Sequence, residues 1–413
     1  MQEKVEGFRL SPQQNRLWLF QQKNLSAFYC QVVTLIRGPL HEARLRQSID
    51  YLVARHEILR SVFHRRAGLR LPFQVVTTGG AACAWRSDDL SGLSSAERQS
   101  RLEELLAQER EQPWAYETGP LLRLRLARLS PQEHALLVTL PALCADSRTL
   151  SLFVEELATA YGEAAGDGRS QAREVMQYAD VSEWQNELLD AEEGEPGAKY
   201  WLSRNWAAAT ALTLPFEFWC DEFSETASIF RWRKQDALLS AEVVDAVKAA
   251  ADARRVSVAA WLQTCWSALL WRLCGRPAEL IIGVGYDARK YDELAGAWGA
   301  LTKQAPVRVE VNTETRFNEA LEQVEEARNE TAKWQEYFSW EKLGRGASSF
   351  STTIGTLTVE NRADAGTLFC AAQYEYERVA ASTALTASDL SFSISHLAAF
   401  AEPFKVKLHV IER

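Results

Sequence analysis

An α/β architecture built twice is the fold class this sequence predicts. Short apolar runs alternate with amphipathic stretches from residue 28 to about 161, and the alternation resumes from residue 241 to 334. Between them lies a segment rich in glycine, alanine and charge, Glu163 to Arg173. With 413 residues the chain is too long for one ordinary core. The expected division is a lobe over 1–170 and a second over 171–413. No fixed-period repeat is visible.

The elements follow from spacing. Phe28 to Ile36 is an apolar run that predicts a strand. Leu45, Ile49, Leu52 and Val53 share one face of a helix over Leu40 to Arg55. Phe73 to Val76 predicts a short strand. Ser94 to Gln112 predicts a charged helix with Leu102, Leu105 and Leu106 inward. From Leu121 to Leu129, Leu122, Leu124 and Leu126 alternate with Arg123 and Arg125, which predicts a strand with one wet face. Ala135 to Leu140 predicts a buried strand, and Leu150, Leu152, Phe153, Leu157 and Tyr161 predict a helix. Glu192 to Gly197, rich in Gly, Glu and Pro, predicts a loop. Helices are expected over Ala241 to Arg254, Ser257 to Leu273 and Phe317 to Trp334. Strands are expected over Leu280 to Gly285 and Val307 to Val311.

Composition excludes several classes. Hydrophobic residues at 47% and charged residues at 24% belong to a folded chain rather than a disordered one. A net charge of -9 argues against general attraction to nucleic acid or anionic membrane. No apolar run approaches the roughly 20 residues that span a bilayer, and residues 1–6 are no secretion signal. The seven cysteines are scattered, with no Cys-x-x-Cys, so no disulfide framework or zinc site is expected and the cytoplasm is the expected location. The six histidines (His41, His56, His64, His134, His396, His409) show no close metal-ligand spacing. Gly283-Val284-Gly285 is a glycine pair at a strand end, read as tight packing rather than a nucleotide loop.

The segment Leu140-Pro141-Ala142-Leu143-Cys144-Ala145-Asp146-Ser147 sits between a predicted strand and a predicted helix. It resembles the His-His-x-x-x-Asp-Gly motif of the condensation-domain superfamily of nonribosomal peptide synthetases. Aligned on Asp146, Pro141 and Ala142 replace the histidines and Ser147 the glycine. Five further segments resemble motifs of that family in the same order: Phe8 to Trp18, Arg55 to Phe63, Tyr178 to Gln185 with Tyr200-Trp201, Ile282 to Arg289, and Gly299 to Val309. The resemblance implies two chloramphenicol-acetyltransferase-like lobes in a V. A central tunnel would run between them, where phosphopantetheine arms of carrier proteins enter. It also implies a structural pairing of Asp146 with Arg289. A closing strand and helix would be expected beyond Arg413, as in a piece excised from a longer synthetase.

Amide formation from a thioester needs the amine positioned, a proton accepted or an oxyanion stabilised. Imidazole can serve at neutral pH; the methyl of Ala142 cannot, and Pro141 lacks even a backbone N–H. Losing a general base typically costs about 10²–10⁴-fold in rate. Cys144 reads as a small buried hydrophobe, Asp146 as an ionised partner of Arg289 and a poor base, and Ser147 as a helix N-cap. His56 reads as a helix-end histidine in a polar network and His134 as an exposed turn residue. No catalytic residue and no resident cofactor or metal is therefore expected.

By resemblance, such altered members include domains that recruit oxygenases in glycopeptide assembly and interface domains that recruit β-hydroxylases in siderophore assembly. The implied function is a non-catalytic platform that raises the local concentration of a trans-acting oxygenase at a carrier-bound amino acid. Carrier protein and adjacent synthetase domains are the other implied partners. The rival is an active acyltransferase working by positioning alone, or through Asp146 and Cys144. Trp201, Trp206, Phe216, Phe218 and Trp219 are the aromatic candidates for an exposed docking patch.

Overall fold

The computed structural model describes residues 7–21, 28–78, 83–166, 174–209, 211–215, 217, 233–344, 351–354, 357–360, 369–378, 385–387 and 389–412. In chain order the elements of the first half are α1 (Pro12–Gln21), β1 (Tyr29–Arg37), α2 (Glu42–Arg55), β2 (Ser61–His64), β3 (Phe73–Val76), β4 (Ala84–Asp89), α3 (Ser95–Glu111), β5 (Arg123–Ser130), β6 (Glu133–Pro141) and α4 (Ser147–Ala165). They continue with α5 (Tyr178–Asp190), α6 (Glu195–Leu202), α7 (Ala241–Arg254), α8 (Val258–Leu273), β7 (Glu279–Tyr286), β8 (Lys303–Glu310), α9 (Phe317–Trp334) and α10 (Trp340–Gly344). Last come β9 (Ser351–Ile354), β10 (Leu357–Glu360), β11 (Ala372–Arg378), β12 (Leu385–Ala387), β13 (Leu390–Ala399) and β14 (Val406–Glu412).

Two sheets organise the molecule. The first runs β12-β13-β1-β6-β5-β4 and the second β14-β11-β7-β8. β1 and β6 are largely buried on both faces because both faces of the first sheet are covered. Val32, Ile36, Val138 and Leu140 join α2 and α4 in one core. Val33, Ala135 and Leu137 pack with Leu105 and Leu106 of α3 in another. The second sheet packs Ile282, Val284, Val307 and Tyr374 against Ala260 and Leu270 of α8 and Val324 of α9. Gly283 is required by close approach, since an added Cβ would lie 2.8 Å from the Cys370 side chain.

Three sequence expectations change. The strand over Leu121 to Leu129 has no wet face: Arg123 and Arg125 are buried. Helix α3 covers that face. Arg123 donates to the carbonyls of Glu109, Gln112 and Pro113 at the C-terminal end of α3, and Arg125 pairs with Glu109 at 2.6 Å. Glu192 to Gly197 is not a loop. A 3₁₀ turn over Glu192–Gly194 leads into α6, which begins there because Pro196 fits the first helical turn. His134 is no turn residue but lies in β6, half-buried, and burial lowers its pKa.

The chain also doubles back. β12 and β13 belong to the first sheet, with Cys30 opposite Ala399 and Arg37 opposite Ser391. Residues 400–405 then carry the chain to β14 in the second sheet. A second crossing runs through residues 287–302, whose Ala288, Leu294, Trp298 and Leu301 enter the first core.

Candidate functional site

Strand β6 ends at Pro141, opposite Tyr29 of β1. Having no N–H, proline cannot extend the ladder, and the chain turns. The Ala142 N–H donates to the Phe28 carbonyl at 3.3 Å and the Cys144 N–H to the Pro141 carbonyl at 2.9 Å. Gln14 of α1 holds the Leu143 carbonyl at 2.9 Å. Ala142, Leu143, Cys144 and Ala145 have no exposed surface. Burial pushes the Cys144 thiol far above its usual range, which leaves it a thiol and not a nucleophile.

Asp146 caps α4. Its Oδ1 accepts from the Thr149 N–H at 2.8 Å and from the Thr149 hydroxyl at 2.7 Å. Arg289 grips both oxygens, Nη1 to Oδ2 at 2.9 Å and Nη2 to Oδ1 at 3.0 Å. From the crossing at 287–302, the Leu301 and Thr302 N–H groups and the Thr302 hydroxyl donate to Oδ2 at 3.1, 2.9 and 3.0 Å. Burial by itself would raise the Asp146 pKa. The guanidinium and the Thr149 donors outweigh it and hold the carboxyl below the usual range. A carboxylate so saturated has no lone pair to offer a substrate proton.

Gly299 makes this arrangement possible. Its φ is +146°, and a Cβ would lie 2.0 Å from the Tyr178 ring. Tyr178 in turn donates to the Ala300 carbonyl and meets the Ser11 hydroxyl. His56 is buried in a polar network: its ring stacks on Trp298 at 3.6 Å and its Nε2 lies 2.8 Å from Glu156.

Ser147 is not the cap. Asp146 has that place, and Ser147, first residue of α4, donates across to Glu375 Oε1 of β11 at 3.2 Å. Glu375 pairs with Lys407 of β14. Burial alone would raise the Glu375 pKa, but Lys407 and His409 outweigh it and bring it down to about 2. Glu402, on the segment between β13 and β14, forms a two-pronged pair with Arg16 of α1 at 2.9 and 3.1 Å. Asp146, Ser147, Gln304, Glu375, Glu402 and Lys407 line a cavity of about 30 Å³, room for a water or two.

Sequence reasoning missed Glu375, Lys407 and Glu402. A signal was there for the first two. Tyr374 and Tyr376 alternate with Glu375 and Glu377, and Val406, Leu408 and Val410 with Lys407 and His409. That is the pattern of two strands with oppositely charged cleft faces.

The aromatic candidates fare differently. Trp201 and Trp206 are core residues, 1% and 6% exposed, with their indole N–H groups bonded to the carbonyls of Trp334 and Trp201. Neither can present an exposed patch, because the second sheet's core claims both. Phe216, Phe218 and Trp219 lie outside the described residues.

The condensation-domain family model matches residues 5–345. The chain belongs to the condensation-domain family. One of the linear gramicidin synthase proteins of Brevibacillus parabrevis is 27% identical over 339 residues, 81% of this chain and 4% of that protein. Phosphinothricin tripeptide synthetase PhsC of Streptomyces viridochromogenes is 27% identical over 319 residues, 76% of this chain and 28% of that protein. The condensation-family chain thus spans under a third of either relative. Among solved structures, the condensation domain of the Monacolin K polyketide synthase MokA superposes with a TM-score of 0.78 at 18% identity, covering 99% of this chain and 89% of that one. A chain from the complex of the X-domain and OxyB of teicoplanin biosynthesis superposes with a TM-score of 0.72 at 20% identity, covering 100% and 86%. These likenesses establish the chloramphenicol-acetyltransferase-like condensation fold. Among the described residues, no helix is long and apolar enough to cross a membrane.

Proposed function

We propose that this condensation-family chain has given up amide formation and acts as a platform that recruits a trans-acting tailoring oxygenase, such as a β-hydroxylase, to an amino acid on a carrier protein. The observation that carries the reading is the filling of the site. At the position of the family's second histidine stands a fully buried methyl, and beside Asp146 residues of the Glu375–Lys407 and Arg16–Glu402 pairs line a cavity of about 30 Å³. A cavity of that size holds a water or two and leaves little room beside Asp146 for a thioester and an amine. The likeness to a chain from the complex of the X-domain and OxyB supports the recruiting half of the proposal. Its carrier-protein half rests on the relatives being peptide synthetases.

The acyltransferase alternative would work by positioning alone or through Asp146 and Cys144, and the second route is disfavoured because Asp146 is saturated by hydrogen bonds and Cys144 is a buried neutral thiol. A titration of the purified chain with each stand-alone oxygenase encoded beside its synthetase, with amide formation assayed in parallel on loaded carrier proteins, tests the proposal. Saturable binding, hydroxylation that depends on the chain and no amide product are expected. Amide product abolished by Asp146→Ala in a still-folded protein would overturn it.

A further inference from the structure

We propose that Lys303 is a proton-sensitive fastening between β8 and the turn that ends α9, firmer when its amine is neutral. Lys303 opens β8 and is 4% exposed. Its Nζ donates to two backbone carbonyls, that of Glu336 at 3.2 Å and that of Gln335 at 3.4 Å. Among the described residues it forms no ion pair. The Glu336 carboxylate is taken by Lys290 of the crossing at 287–302, 2.9 Å away, and accepts from the Tyr291 hydroxyl at 3.2 Å. Two ammonium groups thus share one carboxylate around a buried point, one proton more than the cluster can neutralise.

No other neighbour supplies a second anion. Tyr286, the cross-strand partner on β7, donates to the Arg328 carbonyl and is kept neutral by burial. The Arg328 guanidinium is bonded to Gln263 of α8. A buried cation without its own counter-ion is disfavoured, and a neutral amine escapes that penalty while still donating to carbonyls. Burial accordingly lowers the Lys303 pKa; Glu336 opposes the fall, Lys290 adds to it, and it comes down to about 8. An unfolded lysine ionises at ~10.4. Between the two values the unfolded chain binds more protons, so this residue's contribution to stability rises with pH across that window. The neighbouring Thr302 donates its N–H and hydroxyl to Asp146, which places the fastening one peptide from the carboxylate where the two halves meet. The property is independent of what the chain recruits.

Melting temperatures of the full chain and of Lys303→Met, measured from pH 6.5 to pH 10, test the proposal. The variant has no ammonium to bury, so its Tm relative to wild type should be highest below about pH 8 and fall by a few degrees as pH rises beyond it. In parallel, NMR of lysine-labelled protein should show one ammonium signal titrating near pH 8 in the wild type and missing from Lys303→Met. Lys290→Met removes the competing cation and should move that midpoint up by roughly one unit; Glu336→Gln removes the shared anion and should move it down. Where Lys303→Met fails to fold, the upward shift in Lys290→Met, whose side chain is 37% exposed, decides. A Tm difference independent of pH overturns the proposal. So does a Lys303 signal that titrates in the ordinary lysine range, or a midpoint unmoved in Lys290→Met.

Discussion

Asp146 receives Arg289 on both oxygens and the Thr149, Leu301 and Thr302 donors besides. The pair is almost fully buried, 4% and 2% exposed. Removing the cation would strand a charge in the interior, so Arg289→Ala is expected to lower stability by ~3–5 kcal/mol in urea or thermal unfolding. Restoring the histidine should not restore chemistry. Ala142→His must force an imidazole into a position without free surface, at about 1–3 kcal/mol of overpacking. Folded Ala142→His protein should still give no amide from loaded carrier proteins; product formation would show that the missing side chain, and not the filled space, is what silences the site. At this scale the sequence was readable where a motif named both partners, as with Asp146 and Arg289. It was not readable for Ser147, because a residue's claim to cap a helix depends on whether its neighbour has the better reach.

Charged strands were the harder elements. Arg123 and Arg125 alternate with leucines as a solvated face would, yet α3 lies over them and takes their donors at its own C-terminal end. Period-two alternation reports two unlike faces, not which one meets water. The strands β11 and β14 repeat the lesson, with Glu375 and Lys407 meeting inside. That pairing has a pH signature. Glu375 ionises in the folded chain at about 2, against ~4.3 when unfolded. A depressed carboxyl stabilises the fold above its unfolded pKa, and the contribution fades as pH falls toward the folded value. The difference in melting temperature between wild type and Glu375→Gln should therefore be largest above about pH 4.3 and shrink toward about pH 2. A difference independent of pH would mean that shape, and not charge, is what Glu375 contributes. Pro196 makes the converse point: read as a loop-former among glycines and glutamates, it instead opens α6, since its fixed φ suits a first turn as well as a bend.

At the scale of the molecule, local periodicity revealed strands and helices from residue 28 to 334, and six short motifs revealed their arrangement. Neither could show that β12 and β13 leave the second half to join the first sheet, because nothing in Leu390–Ala399 names a partner almost a whole chain away. The same holds for Glu402, whose bond to Arg16 exists only because residues 400–405 bridge the sheets. The return of β13 to β1 bears on how the chain is made. A ribosome adds about 5–20 residues per second, so β1 waits on the order of tens of seconds for the strand that completes its sheet. Throughout synthesis one edge of β1 stays open to any passing strand. No intact N-terminal half precedes the C-terminal one, and an assembly line cut and rejoined between the two halves would leave the first sheet without β12 and β13, the strands that complete it.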